Sequence, residues 1–196
     1  MNQSDTSALF SIIIPVYNRP QEVRELLDTL LKQTSKDFEV IIVEDGSSEK
    51  CDTIVREYSD RLPVTYYEKE NGGPAAARNY GAAKSKGEWL IFFDSDCLIP
   101  EHYIQNATNE LHNQECQLFG GADRSHPSFT PLQKAIDYSM TSILTTGGIR
   151  GNKKSADKFY PRTFNMGIKK EVFRQIGGFS NMRFGEDVDF SYKVKE

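Results

Sequence analysis

Hydrophobic positions recur along this chain with two different periods. Phe10-Ser-Ile-Ile-Ile-Pro-Val16 is an apolar, β-branched run, whereas from Arg19 to Gln33 the apolar residues fall at Val23, Leu26, Leu27, Leu30 and Leu31. The first pattern predicts a buried strand and the second an amphipathic helix. The alternation repeats, with strands expected over Phe38 to Val43, Val64 to Glu68 and Trp89 to Phe93, and helices over Ser47 to Ser59 and Pro74 to Lys84. Four strand–helix alternations imply an α/β fold: an open, mostly parallel sheet with helices on both faces.

The helix at Pro74 has a clear start, because Gly72-Gly73 supplies a turn and proline is tolerated in a first helical turn. Ala75, Ala76 and Ala77 permit close packing on the sheet. A further helix is expected after Pro100 to about His112, and a fifth strand over Leu118 to Ala122. From Asp123 to Pro161 the alternation fades, leaving one helix expected over Pro131 to Leu144 and a solvated loop, or a lid, around Lys153-Lys154. Regularity returns with a strand over Thr163 to Ile168, a helix over Lys170 to Ile176, a Gly177-Gly178 stop, and a helix over Glu186 to Glu196. That last helix has acids in its first turn and lysines in its last, which suits the helix dipole. It ends without a cap, so a C-terminal continuation is expected.

Composition narrows the partners. A chain of 196 residues with 38% hydrophobic and 27% charged residues is the size of one globular domain, with residues 1–122 expected to form one half and 123–196 the other. The net charge of −4 offers no basic surface, which sets nucleic acid aside. Cys51, Cys97 and Cys116 are odd in number and show no C-x-x-C spacing, against a disulfide framework or a structural zinc. With no apolar stretch long enough to cross a bilayer and no leader-like start, a cytoplasmic location is expected, the inner face of a membrane included. His102, His112 and His126 have no ligand spacing.

In open parallel sheets, ligands bind beyond the carboxyl ends of the strands. The residues there are polar: Pro15, Val16, Tyr17 and Asn18 after the first strand, Glu44 and Asp45 after the second, Asn71 and Gly73 after the third, and Asp94, Ser95 and Asp96 after the fourth. Carboxylates gathered on one rim repel unless a cation or hydrogen-bond donors lie between them. Asp94 and Asp96 can point the same way if the chain stays extended, and oxygen ligands suit Mg²⁺ or Mn²⁺. Taken alone, this D-x-D is equally compatible with capping a turn.

The ordered set Ile14-Pro15-Val16-Tyr17-Asn18, Val43-Glu44-Asp45-Gly46-Ser47, Asn71-Gly72-Gly73 with Arg78-Asn79, Phe93-Asp94-Ser95-Asp96, and Gly177-Gly178-Phe179 before Glu186-Asp187 resembles family 2 glycosyltransferases of the GT-A fold. It departs from their pattern in having Glu44 where Asp is usual. The resemblance implies an inverting transfer from a nucleotide sugar, a UDP-sugar foremost, to a saccharide or lipid-linked acceptor in cell-surface polysaccharide synthesis. Peripheral membrane association through a C-terminal continuation is compatible with it.

Carried over residue by residue, the resemblance puts Tyr17 and the Pro15-Val16 backbone at the base, with Asp45 accepting a hydrogen bond from it. Arg78 lies near the nucleotide, Asp94 near ribose or metal, and Asp96 on a metal that bridges the diphosphate; Asn71, Gly73 and Ser95 complete the donor set. Asp187 is then the general base, chosen over Glu186 by the resemblance because spacing alone does not separate them, although acids at a helix start are also favoured for structural reasons. Two rivals remain: a catalytically silent nucleotide-binding module, and a sugar nucleotidyltransferase. The second would place a Gly-rich basic loop after the first strand, where this chain has Tyr17-Asn18-Arg19-Pro20.

Overall fold

The computed structural model describes residues 9–113, 115–120, 161–182 and 185–195. Their order is β1 (Phe10–Val16), α1 (Pro20–Leu31), β2 (Phe38–Asp45), α2 (Asp52–Tyr58), β3 (Val64–Lys69), α3 (Pro74–Lys84), β4 (Trp89–Phe92), α4 (Tyr103–Asn113) and β5 (Leu118–Gly120). A 3₁₀ turn (Thr163–Asn165), β6 (Met166–Lys169), α5 (Lys170–Ile176) and α6 (Glu186–Lys195) follow. The helix expected over Pro131 to Leu144 and the Lys153-Lys154 segment lie outside the described residues.

One sheet of six strands, in the order β3-β2-β1-β4-β6-β5, organises these elements. β1 pairs in parallel with β2 and β4, and β2 with β3, while β6 runs antiparallel to both β4 and β5. Strand β6 thus inserts between β4 and β5.

The period of two along the strands divides the core between the two faces. Phe10, Ile12, Ile14, Val40, Ile42 and Ile91 pack on one side with Val23, Leu26, Leu27 and Leu30 of α1, Val55 and Tyr58 of α2, and Ile104 of α4. Ile13, Ile41, Val43, Leu90 and Phe92 pack on the other with the alanines of α3, Phe173 of α5 and Phe190 of α6. Each large side chain so buried contributes about 1.5–3 kcal/mol by leaving water. Helix α3 sits close against the sheet, since a Cβ at Gly81 would lie 2.6 Å from Ile13 Cγ2. Pro74 and Arg78, in the N-terminal half of that helix, line the cleft at the strand ends.

Three local expectations are corrected. Helix α2 begins at Asp52, not Ser47, because Ser47 and Ser48 are engaged by Asn18: the Asn18 N–H donates to Ser47 Oγ (2.7 Å), and Asn18 Oδ1 accepts from the Ser48 N–H (2.8 Å). Such side-chain bonds compete with a helical start. The strand expected from Thr163 begins at Met166, after the 3₁₀ turn. Strand β2 extends to Asp45, so Glu44 and Asp45 are strand residues facing opposite sides of the sheet rather than neighbours on one rim.

Candidate functional site

A cleft of about 560 Å³ opens where the parallel strands β1, β2 and β4 end. It is lined by Pro15, Val16, Tyr17, Asp45, Asn71, Gly73, Arg78, Asp94, Ser95 and Asp96, and in addition by Arg19 and Pro74. The ten donor-site positions expected from the sequence are therefore brought to one cavity, of a size that suits a small-molecule ligand. Arg19 and Pro74 were not singled out by the sequence, although Arg19 directly follows the Tyr17-Asn18 motif at the start of a helix.

Glu44 does not reach the cleft. Fully buried, it accepts hydrogen bonds from the Ser47 hydroxyl and from the Cys51 N–H (2.9 Å) at the start of α2. Burial, and then the neighbouring Glu44 carboxylate, pushes the Cys51 thiol and the Tyr66 phenol well above their ordinary pKa values. Glu44 thereby fixes the β2–α2 connection, and Asn18, held at φ 54° with its side-chain oxygen on the Ser48 and Glu49 N–H groups, ties the β1 loop to it.

Asp45 faces the cleft side. One carboxylate oxygen accepts from the Gly72 N–H (2.9 Å) and from Lys69 Nζ (2.6 Å), and the other accepts from the Gly73 N–H (2.7 Å). The Asn71 side chain donates to the Asp45 carbonyl at 2.8 Å. Gly46, at φ +73°, permits this approach, since a Cβ there would stand 2.7 Å from the Asn71 nitrogen. The 71–73 loop is consequently latched to the end of β2.

Of the two readings left open for the D-x-D, extended or turn, the chain takes the turn: the Cys97 N–H donates to the Asp94 carbonyl at 3.1 Å. Aspartate is favoured at the first position of such a turn. Within it the two carboxylates meet different arginines. Arg78, 4% exposed, bonds Asp94 at 2.6 Å and Glu186 at 3.1 Å, and its Nε has no hydrogen-bond partner. Arg19 bonds Asp96 at 3.1 Å, with both side chains about half exposed. Each cleft carboxylate has its own positive partner, so the repulsion argued from sequence does not by itself demand a metal ion.

Asp187 does not line the cleft. It stands at the start of α6, where its carboxylate accepts from Arg162 Nε and from the Val188 N–H (2.8 Å). Its neighbour Glu186 is the residue joined to the cleft, through Arg78. This junction is braced by Asn79, whose side chain donates to the Phe179 carbonyl and accepts from the Phe179 N–H, both at 2.9 Å. A Cβ at Gly178, which has φ +76°, would stand 2.6 Å from the Asn79 side-chain oxygen, so glycine is required for the clamp.

Among the described residues, no group of three or more His, Cys, Asp or Glu is arranged to hold a metal ion. Asp96 is the carboxylate best placed to accept one, because the arginine it meets is exposed, whereas Asp94 is committed to buried Arg78. A hard cation at Asp96 fits if phosphate oxygens and water supply its remaining ligands. No helix among the described residues is long and apolar enough to cross a membrane.

Residues 11–177 match the sequence model of Glycosyl transferase family 2. An uncharacterized glycosyltransferase of Haemophilus influenzae is 38% identical over 201 residues, covering 95% of this chain and 62% of its own length. The crystal structure of S. aureus TarS 1-349 in complex with UDP-GlcNAc superposes with a TM-score of 0.72 at 24% identity, covering 94% of this chain and 52% of that one. The mannosyltransferase PcManGT from Pyrobaculum calidifontis, in complex with GDP-Man and Mn²⁺, gives a TM-score of 0.68 at 19% identity, covering 95% and 51%. The chain thus spans about three fifths of that relative and half of those structures, with which it shares the GT-A fold.

Proposed function

This chain belongs to glycosyl transferase family 2, and from that premise we propose that it carries the donor site of an inverting, metal-dependent glycosyltransferase that takes a nucleotide sugar, a UDP-sugar foremost. The observation that carries this reading is the cleft at the ends of β1, β2 and β4, where the Tyr17 loop, two arginines and the Asp94–Asp96 turn meet. Support for the donor class comes from the UDP-GlcNAc bound to TarS and the GDP-Man and Mn²⁺ bound to PcManGT.

In this reading exposed Tyr17 and the Pro15-Val16 backbone, which line the cleft, border the base. Asp45 fixes the Asn71 to Gly73 loop beside the base and offers its remaining lone pairs to a uracil N–H. Arg78 holds Asp94 toward the ribose. Asp96 would hold Mg²⁺ or Mn²⁺ for the diphosphate, with Ser95 lining the cleft beside it. Such a cation, when bound, lowers the cost of charge on the leaving nucleoside diphosphate.

Asp187 is proposed as the general base. The acceptor hydroxyl oxygen forms a bond to the anomeric carbon as the bond from that carbon to the diphosphate breaks, and the hydroxyl proton passes to Asp187. Arg162 and the Val188 N–H each take one oxygen of Asp187, which leaves a further lone pair on each oxygen for an acceptor hydroxyl. The acceptor class, a saccharide or lipid-linked saccharide of a cell-surface polysaccharide, rests on the family resemblance.

Calorimetry with UDP and with GDP tests the donor site. The nucleotide should bind more tightly in Mn²⁺ than in EDTA, and Asp96→Ala should remove the difference. Equal affinity in both conditions overturns the metal assignment.

A further inference from the structure

The three aspartates of the cleft differ in how firmly their partners are held. Asp45 is buried under two backbone N–H groups and Lys69. The Arg78 that meets Asp94 is itself buried, is held from its other side by Glu186, and lies over the Phe179 ring at 5.9 Å. It cannot leave Asp94 without disturbing α6. Arg19 has none of these restraints: it meets Asp96 through a single 3.1 Å contact, and the two side chains are 49% and 57% exposed.

Its backbone, by contrast, is fixed. Arg19 stands at the start of α1, where its carbonyl accepts the Val23 N–H at 3.2 Å, and Pro20 follows in the first turn. The base of the side chain is therefore anchored at the cleft wall while the guanidinium can turn about it. An ion pair this exposed is weak and readily displaced, and a guanidinium fork matches phosphate oxygens in a bidentate fashion.

Charge adds a direction. Three aspartates against two arginines leave the lining of the cleft with one net negative charge. The diphosphate of a nucleotide sugar brings further negative charge to the same place, so a cation tied up by Asp96 is better used on the incoming phosphates once another cation has taken that carboxylate.

We infer that Arg19 is an exchangeable counterion of the donor site: it pairs with Asp96 until a divalent cation takes that carboxylate, and then passes to the donor's diphosphate. This inference rests on the proposed meeting of Asp96 with a divalent cation. It assigns to one arginine two opposed effects, competing with the metal ion and assisting the nucleotide.

The opposed signs make the test. In the full-length protein, Arg19→Ala and Arg19→Lys are compared with wild type in two binding measurements: Mn²⁺ alone, by the paramagnetic resonance signal of free Mn²⁺, and UDP or GDP in saturating Mn²⁺, by calorimetry. Arg19→Ala should bind Mn²⁺ alone about two- to fivefold more tightly, because a weak competitor is gone. The same variant should bind the nucleotide about tenfold more weakly, because a charge-assisted contact is gone. Arg19→Lys, which keeps the charge but not the fork, should fall between. Thermal unfolding unchanged from wild type verifies that the fold is intact, as expected for an exposed side chain.

Weakened nucleotide binding with unchanged Mn²⁺ affinity overturns the exchange and leaves a plain phosphate contact. Both affinities within twofold of wild type reduce the Arg19–Asp96 pair to surface decoration. If wild type itself binds nucleotide equally in Mn²⁺ and EDTA, the metal assignment fails and the exchange with it; if it binds neither nucleotide, the donor-site reading itself fails. Metal-dependent wild type with an unresponsive Arg19→Ala sinks the exchange alone.

Discussion

Replacing Asp45 with Asn separates two roles that this residue can have in the cleft. If Asp45 serves only to meet the base of a nucleotide, the substitution weakens nucleotide binding and leaves the empty protein as stable as before. The structure gives it a second role, as the latch of the 71–73 loop, with Gly72, Gly73 and Lys69 all donating to its carboxylate. Hydrogen bonds to a charged group contribute about 1.5–3 kcal/mol each, but less where water can replace the lost partner. Gly72 is exposed and its N–H is easily rehydrated, whereas Gly73 is half buried and Asp45 itself is buried. In Asp45→Asn one oxygen remains for one set of donors, while the new amide group faces either the Gly73 N–H or the Gly72 and Lys69 donors, donor against donor. The ion pair with Lys69 is lost as well. A loss of about 2–3 kcal/mol in unfolding free energy is expected, read from urea denaturation, together with weaker uridine binding in EDTA. Lys69→Met, which removes only one donor, should cost less. A loss below about 0.5 kcal/mol for Asp45→Asn, within the range of an ordinary surface substitution, would refute the latch.

Three further outcomes follow from other contacts. Arg78→Met should destabilise by about 3 kcal/mol, because it strands the mostly buried Glu186; a double-mutant cycle with Glu186→Gln should give a coupling of at least about 1 kcal/mol, and additivity would remove α6 from the arginine's influence. Gly81→Ala should destabilise by roughly 1–2 kcal/mol despite alanine's better helix propensity, since the new methyl meets Ile13 Cγ2 at 2.6 Å and Val43 Cγ2 at 3.2 Å; a stabilised variant would contradict the close seating of α3. Burial raises the Cys51 thiol, so it should resist alkylation at about pH 8.5, where a free thiol reacts, and become labelled only on unfolding. The sign for stability is the same: the folded state holds this proton more tightly, so the contribution is complete below the unfolded pKa of about 8.5 and is lost as pH rises toward the folded value. Labelling of native Cys51 as fast as the exposed thiol of a small peptide would contradict its burial.

Much of this fold was legible because its signals are local. Ile12 and Ile14 against Ile13 already sort the two faces of β1, and the spacing of Val23, Leu26, Leu27 and Leu30 already gives the buried stripe of α1. The cleft-lining residues were legible for a related reason, since strand ends in a parallel sheet necessarily share a rim. What escaped was set by partners far along the chain. The insertion of β6 between β4 and β5 is a pairing between distant segments that no local pattern encodes. The early start expected for α2 failed because Asn18, thirty positions before Ser48, claims that residue's N–H. Glu44 read as a rim carboxylate only because the end of β2 was placed two residues short. Arg19 was passed over for want of its partner, Asp96, which lies 77 positions away.

The most direct test of the central claim is release of nucleoside diphosphate from UDP-, GDP- and dTDP-sugars by the full-length protein in Mn²⁺, with saccharide acceptors present and Asp187→Asn run in parallel. The account predicts release from at least one of these donors, with Asp187→Asn slower by roughly 10²–10⁴-fold at unchanged nucleotide affinity. Tight nucleotide binding without release from any donor would mark a silent nucleotide-binding module, and full-rate release by Asp187→Asn would contradict the assignment of the base.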